Sequence, residues 1–208
     1  MIEGVRVSGC RTVRAADSWG PVLLILLVSW LPSCTTSKAD QELSGPLADK
    51  LEELLHRVQY SQGLARLGDL RELSAFGKAA TRPVKERLLK SDNPQLRSNA
   101  VYVLGEIYRL DRDREALEAV RGAMSDRDRL VRLEAARALL ESGDYGGVDE
   151  LLEALDDPGR GIRARAFLAL SDAAGGVDFG YRAAADSASR QEPIARFRAY
   201  FARSGFVP

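Results

Sequence analysis

The sequence predicts an all-α solenoid, built of antiparallel helix pairs stacked in register and closed by a C-terminal capping helix. Three observations lead there. One pattern occurs three times: an Arg (Arg97, Arg132, Arg163), an Ala three residues on (Ala100, Ala135, Ala166), then a Leu four further (Leu104, Leu139, Leu170). Those offsets place all three residues on one stripe of a helix. Each copy follows a polar turn: Ser91-Asp92-Asn93-Pro94, Ser125-Asp126-Arg127-Asp128 and Asp156-Asp157-Pro158-Gly159. The copies recur every 31 to 35 residues, the period of supersecondary units that bury their apolar faces only by stacking on one another.

The chain divides into three parts. Residues 1–33 read as a targeting segment: Arg6, Arg11 and Arg14 precede the apolar run Pro21 to Leu31. That run has 11 residues, against the roughly 20 that a membrane-spanning helix needs, so it reads as the apolar region of a signal peptide. Residues 34–44 are polar and read as a short tether, and residues 45–208 as the helical domain. The segment Leu31-Pro32-Ser33-Cys34, followed by Thr35-Thr36-Ser37-Lys38, resembles a bacterial lipobox, with Pro32 as its one departure. The resemblance implies cleavage between Ser33 and Cys34 and a diacylglyceryl group on the Cys34 thiol. Two other readings are an incidental buried thiol and an uncleaved anchor over residues 19–34. The basic flank, the length of the run, the Leu three before the Cys and the abrupt polar switch converge on lipidation instead. With Cys10 removed and Cys34 acylated, no thiol remains for a disulfide.

The helices follow in order. Ser44-Gly45-Pro46 opens the first, in which Leu47, Leu51, Leu54, Leu55 and Val58 recur at helical spacing. A second runs through Leu64, Leu67, Leu70 and Leu73 to Gly77, and a third over 82–89 carries Pro83 near its start. The Arg-bearing helices cover about 95–109, 129–142 and 160–173, each of the first two followed by a second helix, 113–124 and 147–155. The longer of the two periods places about one extra helical turn at Glu106 to Leu110. Helices 63–75 and 82–89 read as a degenerate first pair, with Phe76-Gly77 matching Leu104-Gly105. Phe179-Gly180-Tyr181, Ala183 to Arg190 and Ile194 to Phe201 form the cap. There Ile194, Phe197 and Phe201 share a face, and Arg196, Arg198 and Arg203 are solvated.

These residues resemble the short bacterial HEAT repeats of the phycobilisome-lyase type. In that family a turn rich in Asp and Pro leads to a Val-Arg or Ile-Arg pair, then Ala and Leu positions, often closing in Leu-Gly. The likeness covers about residues 62–173 and is strongest in the last three units.

The chemical inventory is thin. Lys plus Arg and Asp plus Glu both number 30, and removing residues 1–33 leaves 27 basic against 28 acidic groups. That balance disfavours a nucleic-acid partner, which calls for a basic excess. The single His, His56, lies beside Leu55 and Val58 with no motif to make it a ligand or an acid–base group. No phosphate loop, zinc-ligand pair or nucleophile elbow is present, so no cofactor, metal or catalytic group is expected. Asp111-Arg112-Asp113-Arg114 and Asp126-Arg127-Asp128-Arg129 lack the further oxygen ligands of a calcium loop and sit where helices need N-caps.

Arg97, Arg132 and Arg163 read as structural, their guanidinium forks pairing with Asp92, Asp126 or Asp157 and with turn carbonyls. The expectation for function is a membrane-anchored adaptor or scaffold in the bacterial cell envelope, not an enzyme, with a protein partner. An enzyme or accessory factor of lyase-like type and a purely structural envelope protein are the alternatives. Thr35, rather than an Asp, after the lipidated Cys favours the outer membrane, facing the periplasm, by the family's sorting habit. The expected binding face is the curved surface of second helices, with Lys85, Glu86, Glu118, Arg121, Glu150 and Glu153 as candidates by position.

Overall fold

The computed structural model describes residues 43–203. The targeting segment, the Ser33–Cys34 site and the tether up to residue 42 lie outside the described residues. Nine α-helices occur among the described residues, with no strand: α1 Pro46–Tyr60, α2 Gly63–Ser74, α3 Lys78–Val84, α4 Pro94–Asp111 and α5 Arg114–Ala123 come first. They are followed by α6 Arg129–Glu141, α7 Val148–Ala154, α8 Arg160–Ala173 and α9 Ser187–Arg203. From α3 to α8 successive helices pack on one another, α2 packs on α4 and α9 on α7, and each Arg-bearing helix packs on the next, the contact pattern of an α-solenoid.

Local chemistry sets most of the boundaries. Asn93, Asp113 and Asp128 stand at the N-caps of α4, α5 and α6, their side chains accepting from the amides of Gln95, Glu115 and Leu130. The two Asp-Arg-Asp-Arg turns are therefore helix caps. α4 has 18 residues against 13 in α6, which is the extra turn that the repeat spacing places at residues 106–110.

Three expectations need correction. The helix read as starting at residue 82 begins at Lys78, so Pro83 lies inside it. Gly77, at φ 58, reverses the chain at once, and the amide of Lys78 donates to Asp111 at 2.9 Å. Pro83 offers no N–H to the helix, and the ladder widens directly afterwards into a π turn over Lys85–Leu89. The cap is one continuous helix through Pro193, whose ring is buried against the array instead of breaking the helix. Finally, Leu47, Leu64 and Leu67 are exposed, Leu64 by 86%. They sit at the N-terminal end of the array, where no preceding helix pair covers them among the described residues.

The buried side chains form two clusters, and α6 belongs to both. Val131, Ala135, Ala138 and Leu139 join the cluster reaching back to α1, α2, α3, α4 and α5. Leu133, Ala136 and Leu140 join the one reaching forward to α7, α8 and α9. Small residues allow the approach on each side. A Cβ on Gly105 of α4 would meet Ala138 Cβ at 2.8 Å, and one on Gly147 would meet Ala136 Cα at 2.6 Å. Phe197 and Phe201 close the second cluster from α9, and Tyr181 packs beside them with its hydroxyl donating to the Leu155 carbonyl at 2.5 Å.

Because α6 is a wall common to both clusters, the array should unfold in urea as one transition. Leu139→Asp places an unpaired charge in that wall and should lower stability by at least about 3 kcal/mol. Glu141→Ala, on an exposed i,i+4 pair with Arg137, should cost no more than about 0.5 kcal/mol. Equal effects of the two, or separable transitions for the two halves, would contradict this packing.

Candidate functional site

The repeated Arg side chains close their own turns in one shared way. Arg97 Nη1 donates to the carbonyls of Ser91 at 2.9 Å and Asp92 at 3.0 Å. Arg132 Nη1 does the same to Asp126 at 3.0 Å and Arg127 at 3.5 Å, and Arg163 Nη1 to Asp157 at 2.7 Å and Pro158 at 2.9 Å. In each unit the acceptors stand six and five residues before the Arg. A planar guanidinium has N–H groups left over, and these reach the next element along the stack. Arg97 Nε and Nη2 take the two oxygens of Asp126, each at 2.8 Å. Arg132 Nε finds Glu150 at 3.2 Å, and Arg163 Nε the carbonyl of Ala183 at 2.8 Å. Of the acidic turn residues expected as partners, Asp157 takes Arg129 at 2.5 Å, and Asp92 is exposed near Arg127 at 3.6 Å.

The column has further members that the sequence reading missed. In α9, Arg190 is buried, its Nη1 donates to Ala185 five residues back, and its Nε reaches Asp156 at 3.0 Å. The signal was present: Pro193 and Phe197 stand three and seven residues on, the offsets of Ala100 and Leu104 from Arg97. The spacing of 27 residues from Arg163 hides it. In the first unit the matching position, seven before Phe76, is Asp69, which is buried and accepts from Arg57 Nε at 2.7 Å. The polarity is inverted there and the ion pair is kept.

The six charged candidates on the second helices are largely engaged with neighbours. Lys85 pairs with Glu115 at 2.7 Å, linking the π turn to α5. Glu86 receives Arg82 at 3.1 Å, and Glu118 receives Arg121 at 2.9 Å. Arg121 also reaches Asp144 at 2.8 Å, at the entry to α7, and Glu150 holds Arg132. Glu153 is exposed beside a shallow hollow that Asp149, Leu152 and Arg198 share. Of these charges, Lys85 and Arg121 tie one unit to the next along the second helices.

A groove of about 410 Å³ crosses the other set of helices, α2, α4, α6 and α8. Its lining includes Leu67, Asn99, Tyr102, Glu134, Arg137 and Arg165, and none of the six candidates. On α4 the lining residues are Gln95, Ser98, Asn99 and Tyr102, an i, i+3, i+4, i+7 face of the helix. This groove is thus distinct from the face of second helices that carries the six candidates. That face carries polar residues at helical spacing, which a search for apolar stripes passes over. Arg137 lies 5.5 Å over the Tyr102 ring. Burial disfavours its charge, but Glu134 and Glu141 outweigh that and hold its pKa above the ordinary value. His56 is exposed, with its ring 5.0 Å from that of Tyr60. Among the described residues no group of three or more His, Cys, Asp or Glu is placed to hold a metal ion, and no helix is long and apolar enough to cross a membrane.

Two predictions follow from the Arg column. Arg97→Ala strands Asp126 and two turn carbonyls at a buried junction and should cost about 3 kcal/mol in urea denaturation. Arg97→Lys should not restore it, because an ammonium cannot span a carboxylate and two carbonyls at once. The hydrogen bonds from Arg97 also hold the Asp126 carboxyl below its usual pKa, against its own desolvation. A depressed carboxylate stabilises the fold above its unfolded pKa and loses that contribution as the pH falls through its folded value. Unfolding curves between pH 7 and pH 2 should therefore show stability falling below about pH 4, and Asp126→Asn should flatten that fall.

No curated protein matches the chain. Residues 81–171, from α3 to α8, match the family described as HEAT repeats, and that part of the array is built of HEAT-like units.

Proposed function

We propose that this protein is a lipid-anchored adaptor of the bacterial cell envelope, a HEAT-repeat scaffold held to the membrane through Cys34. The observation that carries the scaffold half is the array itself. HEAT-like units over residues 81–171 put successive helices side by side, and such a surface binds a protein partner through many dispersed contacts. The reading is supported by the engagement of Arg97 with Asp126 and of Arg190 with Asp156 in bonds between units, and of Arg132 with Glu150 within one. The lipid half rests on the run Pro21 to Leu31, Ser33 before Cys34, and the polar switch after it. Acylation of Cys34, cleavage before it and outer-membrane delivery directed by Thr35 are parts of the same proposal, as is the lack of any cofactor.

The anchor is tested by mass spectrometry of the mature N-terminus. The expected product begins at an acylated Cys34, and Cys34→Ser should retain residues 1–33, because acylation precedes this cleavage. An unmodified Cys34, or a cut elsewhere, rejects the anchor. Affinity capture from the cell's own membranes, with the folding-defective Leu139→Asp as control, tests the adaptor. Proteins held by the wild type and lost with the variant support it, and identical profiles reject it.

A further inference from the structure

The groove across α2, α4, α6 and α8 holds a polar side chain that the protein itself does not satisfy. Asn99 is 5% exposed. Its Oδ1 accepts from Gln95 Nε2 at 3.1 Å, but its Nδ2 has no acceptor among the described residues. A buried amide donor left unpaired is costly, and it persists where something else selects for it. The charge of the groove points to the missing acceptor. Three guanidinium groups, Arg66, Arg137 and Arg165, line it against the single carboxylate of Glu134. Arg137 is already matched by Glu134 and by Glu141, while Arg165 is exposed with no ion-pair partner among the described residues. Apolar side chains stand at the two ends. Leu67 lines the α2 end, and Leu168, 59% exposed, adjoins Arg165, Arg137 and Glu134 at the α8 end. The groove crosses three helix-to-helix steps of about 9 Å each, and the resulting span of about 27 Å matches about eight or nine residues of extended chain.

We infer that this groove is the docking site for an extended acidic segment, eight or nine residues long, of a protein partner. The segment lays its main chain over Asn99, an Asp or Glu against Arg165, and an apolar side chain at each end. Asn99 gives up its bond from Gln95 and swings its carboxamide into the groove, where Nδ2 donates to a carbonyl of the segment and Oδ1 accepts from a main-chain N–H of the segment. The carboxylate finds in Arg165 a cation that no neighbour neutralises, and the ends meet Leu67 and Leu168. This assignment deepens the adaptor reading and rests on it for the existence of a protein partner. It places that partner on the Arg-bearing helices instead of the second helices.

The probe is a display library of random nonapeptides, selected on the purified mature chain. Enriched sequences should carry Asp or Glu near the centre with apolar residues toward both ends. The enrichment should vanish with Arg165→Glu, a variant that melts normally because this side chain is exposed and outside the packing. Asn99→Ala should bind a selected peptide at least fivefold more weakly by fluorescence anisotropy while still melting cooperatively near the wild type, since the unsatisfied donor it removes offsets the bond from Gln95 lost with it. Basic or neutral enriched sequences, no enrichment over Arg165→Glu, or an Asn99→Ala variant that binds as well as the wild type would each overturn the assignment. The same selection with Lys85→Glu plus Arg121→Glu separates the two claims. If binding is lost there and kept in Arg165→Glu, the adaptor stands and the groove falls. Self-association of the chain that Arg165→Glu abolishes, seen by sedimentation in the absence of peptide, would make the occupant a second copy and overturn the peptide assignment as well.

Discussion

No helix pair in this protein has a core of its own, and that constraint governs the rest. α6 shows it most clearly, with apolar side chains on two sides: Leu139 faces the cluster toward α4, and Leu133 and Leu140 face the cluster toward α7 and α8. An isolated pair would leave one of those surfaces in water, and each large side chain returned to water forfeits about 1.5–3 kcal/mol. The closeness of the stack then falls to the small residues. Gly105 against Ala138 and Gly147 against Ala136 leave no room for a methyl group, so the helices meet at backbone distance instead of through interposed side chains. The same constraint explains both ends. α9 brings Ile194, Phe197 and Phe201 to the last unit, while at the first unit Leu64 and Leu67 stay exposed.

Apolar contact alone does not set the register of one unit on the next, because a helix can slide along a greasy neighbour at small cost. The guanidinium column supplies directional bonds at the end of each Arg-bearing helix. One nitrogen ties the turn of its own unit, and the others reach forward to Asp126, Glu150 or the Ala183 carbonyl. The variety of these second partners is instructive. What recurs is the closure of the local turn, and the forward bond takes whatever acceptor the following element offers. Arg190 reverses the direction, reaching back to Asp156 from the cap.

The two faces of the array are therefore unequal as places for a partner. The second helices carry many charges, but Lys85, Glu118, Arg121 and Glu150 are already matched by neighbours, and a partner would have to break those pairs to use them. Exposed pairs contribute little to stability, yet they do neutralise one another's fields. The groove across α2, α4, α6 and α8 is lined by four charged residues, and there Arg165 stays unmatched among the described residues, with the buried Asn99 carboxamide lining the same groove. Unsatisfied groups, more than the density of charge, mark where an outside ligand gains most.

The sequence by itself determined the repeat, the fold class and most helix ends. The three-and-seven offsets, the Asp and Asn caps and the spacing of the turns are local patterns, and the physics behind them acts within a few residues. It also made the turn-closing role of Arg97, Arg132 and Arg163 legible, since their acceptors lie five and six residues away along the chain. What only the tertiary structure decided depends on residues distant in sequence. Whether Leu64 is core or surface turns on a neighbour that is not present among the described residues, and a Pro in a helix pattern is read as a start or a break until packing places Pro83 and Pro193 inside helices. Arg190 joins the column through Asp156, 34 residues away. The groove exists only because four helices spread over about a hundred residues present their polar faces to one side, and a solvated face leaves no hydrophobic trace in the sequence from which its neighbours could be inferred.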